Sequence, residues 1–319
     1  MTVTGQPIVQ RPPEPDWLAM TTDELLAYRA AENRFRASAA ARAITGEPDP
    51  DAVIAWRELA VPGRELPIRV YRPAVRDGGA LPLVIHVHGG GFVGTAVQSD
   101  WVNSRLAARL PAVVVSIEHR LVAPDHPLPD AVDDGWDVLR HLVRDAGAWG
   151  VDPARVAVFG ESCGGLISAL AAIRAREAGL ALRAQVLVNP AVDATGALFD
   201  HPSVTEYAHT PTLTVPVLRL FRRLAVPPGT DARAVSPLHA DDLGGLAPAL
   251  VVVPTHDPLA DHGRRYAGRL ESAGTPVRLS EYAGAGHAFL SMPGLVPQAE
   301  AAAAEILGFL RTAFAADRA

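Results

Sequence analysis

Along this chain, runs of consecutive apolar residues alternate with stretches of helical spacing, and the rhythm switches many times. VIAWRELAV and LPIRVYRPA, joined by PGRE, read as a β-hairpin. LPLVIHVHGG is nearly continuous in apolar character, as a strand buried on both faces should be. SDWVNSRLAARL then reads as helix, AVVVSIEH as strand, DAVDDGWDVLRHLVRDAG as helix and RVAVFG as strand. CGGLISALAAIRAREAGL follows as helix and RAQVLVNP as strand. The pattern breaks over 195–230, which reads as an insertion. It resumes with PALVVVPTH as strand, DHGRRYAGRLESAG as helix, VRLSEYAG as strand and a last helix from about Gln298 to Phe314. A hairpin followed by alternating strands and helices predicts an α/β fold, with a mostly parallel central sheet and helices on both faces.

The first part of the chain is different. Residues 1–15 are polar and proline-rich and are expected to be loose. Residues 16–45 read as helix, with Thr22 as N-cap and Leu25, Leu26 and Tyr28 opening an apolar stripe. This segment stands apart from the sheet-forming region and reads as a lid.

Composition narrows the classes. A length of 319 residues suits one large domain, or one domain with an attached cap. A net charge of −6 gives no electrostatic footprint for nucleic acid. Cys163 is the single cysteine, so no intrachain disulfide forms, which fits a reducing compartment. No apolar run approaches the roughly 20 residues of a membrane-spanning helix. The opening MTVTGQPIVQRPPEPDW lacks a basic region followed by an apolar one, so no signal peptide is expected and the expected location is cytoplasmic.

In a sheet of this kind ligands bind at the carboxyl ends of the strands, so chemistry is to be sought there. Gly160-Glu161-Ser162-Cys163-Gly164 lies between the strand RVAVF and the helix LISALAAIRA. Random placement of 27 glycines and 11 serines would produce a G-x-S-x-G match roughly 0.08 times, and this one also has the strand and helix it needs. The flanking glycines let a serine sit on a sharp strained turn, its hydroxyl above the sheet and beside a helix N-terminus. The competing reading of Ser162 is a simple helix N-cap.

A serine nucleophile needs a base, and the base an orienting carboxylate. In this fold the chain order is serine, then acid, then histidine. Asp257 directly follows the apolar strand PALVVVPTH, and His287 lies in the Gly-rich loop between the last strand and the last helix. Asp261 is an alternative acid, but it reads as the cap of the following helix. His256 and His262 flank the same turn and read as solvated or structural. A turn aspartate before Pro258 is the plain reading of Asp257. For the developing oxyanion, His88-Gly89-Gly90-Gly91-Phe92 follows the strand LPLVIHV and can turn backbone N–H groups toward a ligand. Cys163 N–H, next to the nucleophile, is the second source. A phosphate-binding reading of these glycines lacks the P-loop lysine and the G-x-G-x-x-G spacing.

With these motifs in place, the sequence resembles the hormone-sensitive-lipase-like branch of the α/β-hydrolases, the bacterial family IV esterases. HGGGF at 88–92, GESCGG at 160–165, SPLHADDL at 236–243, DPLADHG at 257–263 and GHAF at 286–289 carry the resemblance. RLVAPDHPLPDAVDD at 120–134 is similar to the family's RLAPEHPFPAAVDD segment. The resemblance covers the chain from about residue 50 onward. It implies a Ser162–Asp257–His287 triad and oxyanion donors at Gly90, Gly91 and Cys163, with His88 and Gly89 shaping the loop. It also implies a helical cap from residues 1–50 and the insertion around 195–230, on a catalytic domain at 51–319. Departures are Glu161-Ser162-Cys163 for the usual Asp-Ser-Ala, His287-Ala288-Phe289 for His-Gly-Phe, an extra residue in RLVAPDH, and His119 for tyrosine.

The expected activity is hydrolysis of short- to medium-chain carboxylic esters through an acyl-enzyme, with no cofactor and no metal. The expected partner is a small ester, not nucleic acid and not a membrane, and a homodimer is compatible. The alternatives are an acyltransferase or a lyase on the same scaffold, or a ligand-binding protein. Retention of His287 argues against the last. Cys163, although beside the serine, is expected to be a small apolar filler rather than a nucleophile.

Overall fold

The computed structural model describes residues 15–75 and 78–316. The first fourteen residues, for which looseness was expected, lie outside the described residues. The chain runs α1 (Thr22–Arg36), α2 (Arg42–Thr45), β1 (Ala52–Val61), β2 (Arg64–Pro73), β3 (Leu81–Val87), α3 (Asp100–Arg109), β4 (Val113–Ile117), α4 (Leu128–Arg144) and α5 (Ala146–Trp149). It continues with β5 (Val151–Glu161), α6 (Cys163–Glu177), β6 (Ala184–Val188), α7 (Pro202–Glu206) and α8 (Val215–Ala225). The last elements are β7 (Ala249–His256), α9 (Ala260–Ser272), β8 (Val277–Gly286) and α10 (Gln298–Ala315).

The strands form one sheet of order β1-β2-β4-β3-β5-β6-β7-β8. The β1–β2 and β2–β4 pairs are antiparallel, and every pair from β4–β3 to β7–β8 is parallel. The hairpin turn is tighter than PGRE: Val61 pairs with Arg64, leaving Pro62 and Gly63 as the turn. The central strands are buried on both faces because alternate residues feed two cores. Leu83, Ile85, Val113, Val115, Val156 and Val158 join a cluster with Leu139, Leu142, Leu166 and Leu270 from α4, α6 and α9. Val84, Val114, Ala157, Phe159, Val186 and Val252 pack on the other side with Leu106, Ile306 and Leu310 from α3 and α10. This is the period-two consequence of strands covered by helices on both sides.

The helix expected over 16–45 is broken into α1, a 3₁₀ turn at Ala39–Ala41 and α2, and its cap lies one residue before the expected Thr22. The N-cap is Thr21, not Thr22: Thr21 Oγ1 accepts from Glu24 N, and the Glu24 carboxylate accepts from Thr21 N at 2.8 Å. The deciding feature is the capping box, threonine followed three residues later by glutamate. The helix sits over the turn that follows β3. Arg29 Nε donates to Phe92 O at 2.6 Å and its Nη2 to Val122 O at 2.5 Å. Asn33 Oδ1 accepts from Gly94 N at 2.8 Å, and Arg36 Nη1 donates to Gln98 Oε1 at 3.1 Å. Just before α1, Trp17 packs edge-on against Tyr28 and Phe92, and Arg223 of α8 donates to Leu18 O at 2.8 Å. The N-terminal segment and α8 are therefore joined to each other.

Candidate active site

Ser162 lies between β5 and α6, with φ 53° and ψ −118°, one of few non-glycine residues at positive φ among the described residues. It occupies the N-cap position of α6, yet its side chain makes no capping bond, so the simple N-cap reading does not account for it. The strained turn is held by backbone: Ser162 N donates to Val188 O at 2.9 Å, and Ser162 O accepts from Gly165, Leu166 and Ala191 N–H groups. Close approach explains the flanking glycines. A Cβ on Gly160 would strike the Gly164 carbonyl, and one on Gly164 would strike the Val87 carbonyl of β3. Any side chain there would push the turn off the sheet.

Asp257 and His287 lie within reach of this serine. His287 Nε2 is 2.8 Å from Ser162 Oγ, and His287 Nδ1 is 2.8 Å from Asp257 Oδ2. Asp257 Oδ1 also accepts from Leu259 N at 2.8 Å, which aims its other oxygen at the imidazole. A carboxylate only accepts, so the imidazole hydrogen belongs on Nδ1, and Nε2 is left to accept from the serine hydroxyl. Asp257 is fully buried and His287 nearly so, while Ser162 is partly open. The residue after His287, Ala288, has φ 60° and ψ 20°. This alanine holds a left-handed conformation that glycine adopts freely, at a cost of roughly 1–2 kcal/mol.

The other sequence candidates separate cleanly. Asp261 is not the cap of α9, which starts from Leu259; it lies in the first turn, accepts from Ser203 N at 2.9 Å and pairs with Arg264 at 3.0 Å. Its carboxylate is thus committed to α7 and to its own helix. His256 is exposed and stacks on Tyr207. His262 is fully buried, with its ring 4.7 Å from that of His201.

The glycine loop after β3 passes beside the serine: a Cβ on Gly89 would lie 3.3 Å from Ser162 Cβ. Gly90 has φ 115° and Gly91 φ 48°, and their carbonyls are tied back to Val93 N at 2.7 Å and Val122 N at 3.0 Å. His88 Nδ1 lies 2.9 Å from Gly89 O. His119, the residue in place of tyrosine, stacks on His88 with centroids 4.4 Å apart. Burial lowers both imidazoles below their ordinary range, so the stacked pair is neutral at neutral pH. Cys163 is buried, and burial pushes its thiol up to about 12. Phe221 of α8 went unnoticed in the sequence. Its ring lies against Gly91, where a Cβ would come within 2.6 Å of Cδ2. Arg29 was also missed, although the i, i+4, i+7 spacing of Arg29, Asn33 and Arg36 marks one polar helix face.

A family model described as alpha/beta hydrolase fold matches residues 84–291, about two thirds of the chain. The chain belongs to the α/β-hydrolase family. Among curated relatives, it is 37% identical over 322 residues to Carboxylesterase NlhH of Mycobacterium tuberculosis, covering 97% of this chain and 98% of that one. It is 34% identical to an ethyl acetate hydrolase of Pseudomonas putida over 86% of this chain and 87% of the relative. Among solved structures, the hyperthermophilic esterase of the archaeon Pyrobaculum calidifontis superposes with a TM-score of 0.82 at 33% identity, covering 90% and 93% of the two chains. The hormone-sensitive-lipase-like branch expected from the motifs agrees with these esterases. Among the described residues, no helix is long and apolar enough to cross a membrane.

Proposed function

We propose that this α/β-hydrolase is a serine carboxylesterase acting on short- to medium-chain esters. The observation that carries the reading is the unbroken Ser162–His287–Asp257 hydrogen-bonded chain at the carboxyl end of the sheet, with both bonds at 2.8 Å. Ser162 Oγ attacks the ester carbonyl while His287 Nε2 takes its proton. The same nitrogen returns the proton to the leaving alcohol, and Asp257 stabilises the imidazolium that forms between. Water, activated by His287, then attacks the acyl-enzyme and releases the acid. Gly90, Gly91 and Cys163 supply N–H groups to the oxyanion, in a loop preset by the Gly90 and Gly91 carbonyl bonds. The names of the relatives, a carboxylesterase and an ethyl acetate hydrolase among them, support ester hydrolysis and a small substrate.

The N-terminal segment and the 195–230 insertion act as the cap in this reading. Phe221, lying on Gly91, limits the acyl side and favours short chains. The thiol of Cys163, buried and protonated at neutral pH, packs the wall and takes no chemical part.

The test is a series of p-nitrophenyl esters of rising acyl length, run on the full chain and on single variants. Ser162→Ala is expected to lose at least about 10³-fold in kcat, and Cys163→Ala to stay within about threefold of the parent. Phe221→Ala is expected to move the preferred acyl length upward. Equal losses in the two elbow variants would assign the thiol a chemical role. Faster palmitoyl than butyryl turnover by the parent would refute the short-chain assignment.

A further inference from the structure

Glu161 directly precedes Ser162, is 2% exposed, and takes no part in the Ser162–His287–Asp257 chain. A carboxylate is buried only where donors face it. Here they come from three separate parts of the fold. Glu161 Oε2 accepts from Ser291 Oγ at 2.9 Å. Glu161 Oε1 accepts from Ser99 Oγ at 3.4 Å and lies 3.6 Å from His86 Nε2. The other nitrogen of His86 fixes its tautomer. His86 Nδ1 lies 2.8 Å from Ser116 Oγ, a hydroxyl that can donate, and 3.1 Å from Asn103 Nδ2, an amide donor; with both donating, Nδ1 accepts and the ring hydrogen sits on Nε2, facing Glu161.

Ser291 is the informative partner. It closes the short 3₁₀ turn Phe289–Ser291 that follows His287, and Ser291 N donates to Ala288 O at 3.1 Å. The Ser291–Glu161 bond therefore joins the same two chain segments as the His287–Ser162 bond. The two bonds differ in what happens to them during turnover. Once Ser162 is acylated its oxygen has no hydrogen, and the His287–Ser162 hydrogen bond is lost. The Ser291–Glu161 bond lies away from the reacting atoms and persists. We propose that Glu161 and Ser291 are a positioning pair that holds the His287 turn on the nucleophile turn through the acyl-enzyme stage. This inference rests on the esterase reading above. It also gives a purpose to glutamate rather than aspartate at this position: one methylene fewer shortens the reach by about 1.5 Å and breaks a 2.9 Å bond.

The experiment is steady-state hydrolysis of p-nitrophenyl butyrate by the full chain carrying Ser291→Ala, Glu161→Asp, Glu161→Gln, or Ser291→Ala with Glu161→Asp. Ser291→Ala and Glu161→Asp are each expected to lower kcat about tenfold without raising KM, because a loosened base costs turnover rather than binding. Glu161→Gln keeps an oxygen at full reach and is expected within about threefold of the parent, which rules out charge alone as the cause. The double variant is expected to fall no further than the lower single one, as for two ends of one bond. Parental kcat in Ser291→Ala, or losses that multiply in the double variant, would overturn the pairing. Ser162→Ala is run alongside: if it retains turnover, the esterase reading itself fails, and if it is dead while Ser291→Ala is unaffected, only the positioning pair fails.

Discussion

The floor and the roof of this site are built on different principles. The floor, which carries Ser162, Asp257 and His287, is fixed by backbone: strand ends, a strained turn at φ 53°, and glycines whose neighbours leave no room for a Cβ. The part proposed as the roof, the N-terminal segment and α8, packs Trp17, Leu25, Leu220, Phe221 and Leu224 into the core and adds side chains that reach across to carbonyls. Arg29 spans from α1 to Phe92 O and Val122 O, and Arg223 spans from α8 to Leu18 O. The core strand residues at the floor are almost all fully buried, whereas the roof is mixed: Leu25, Leu220 and Phe221 are buried, and Leu18, Leu26 and Phe35 are nearly half exposed. Backbone ladders between buried strands cannot be edited one residue at a time, but a guanidinium bridge can. On the proposed reading, a position at the floor is all-or-none for the chemistry, while the roof can drift in composition and tune it.

The largest expected effect breaks the floor. Asp257→Asn leaves the geometry but disfavours the tautomer that can accept from Ser162, and is expected to lower kcat by about 10³- to 10⁴-fold on p-nitrophenyl butyrate. Asp261→Asn, which loosens contacts to Ser203 and Arg264, is expected to keep turnover close to the parent. A reversal of that order in a side-by-side rate measurement would mean the acid has been misassigned. An intermediate effect comes from the roof. Arg29→Gln cannot reach both carbonyls, so the turn carrying Gly90 and Gly91 loses a clamp, and kcat is expected to drop about tenfold with the fold intact. If the melting temperature falls while kcat holds, Arg29 secures the helix and leaves the Gly90–Gly91 turn alone.

The smallest effect is on pH and lies at the seam between the two regions, where His201 of the insertion meets His262 of α9. Burial pushes His262 down to about 3 and His201 below its ordinary value. Their neighbours include Asp193 and Asp261, which oppose that shift, and Arg265, which adds to it at His201. Between about 6.5 and about 3 the unfolded chain binds protons that the folded chain refuses, so stability is full above about 6.5 and declines as pH falls. Melting curves from pH 7 to pH 4 are expected to show that decline, and His262→Leu to make it shallower. An unchanged slope in the variant would move the cause elsewhere.

Much of the floor was legible before any coordinates. Strand and helix rhythm follows from side-chain periods that act over a few residues, and the G-x-S-x-G turn has a local steric requirement that only small residues meet. The order of serine, aspartate and histidine could be read because the topology of the sheet dictates where each loop emerges. Even there, local cues misled at Thr22, where the capping box at Thr21 and Glu24 decided the helix start, and at Asp261, whose carboxylate is drawn into a contact with Ser203 from a segment 58 residues away. What only the tertiary structure decided are the pairings between residues with no periodic relation: Arg29 with Phe92 and Val122, Phe221 with Gly91, His201 with His262, and Glu161 with Ser291. Each joins segments separated by tens to more than a hundred positions. Hydrogen-bonding capacity is a property of single residues, but which donor meets which acceptor is set by the packing of whole elements, and no short window of sequence contains that packing.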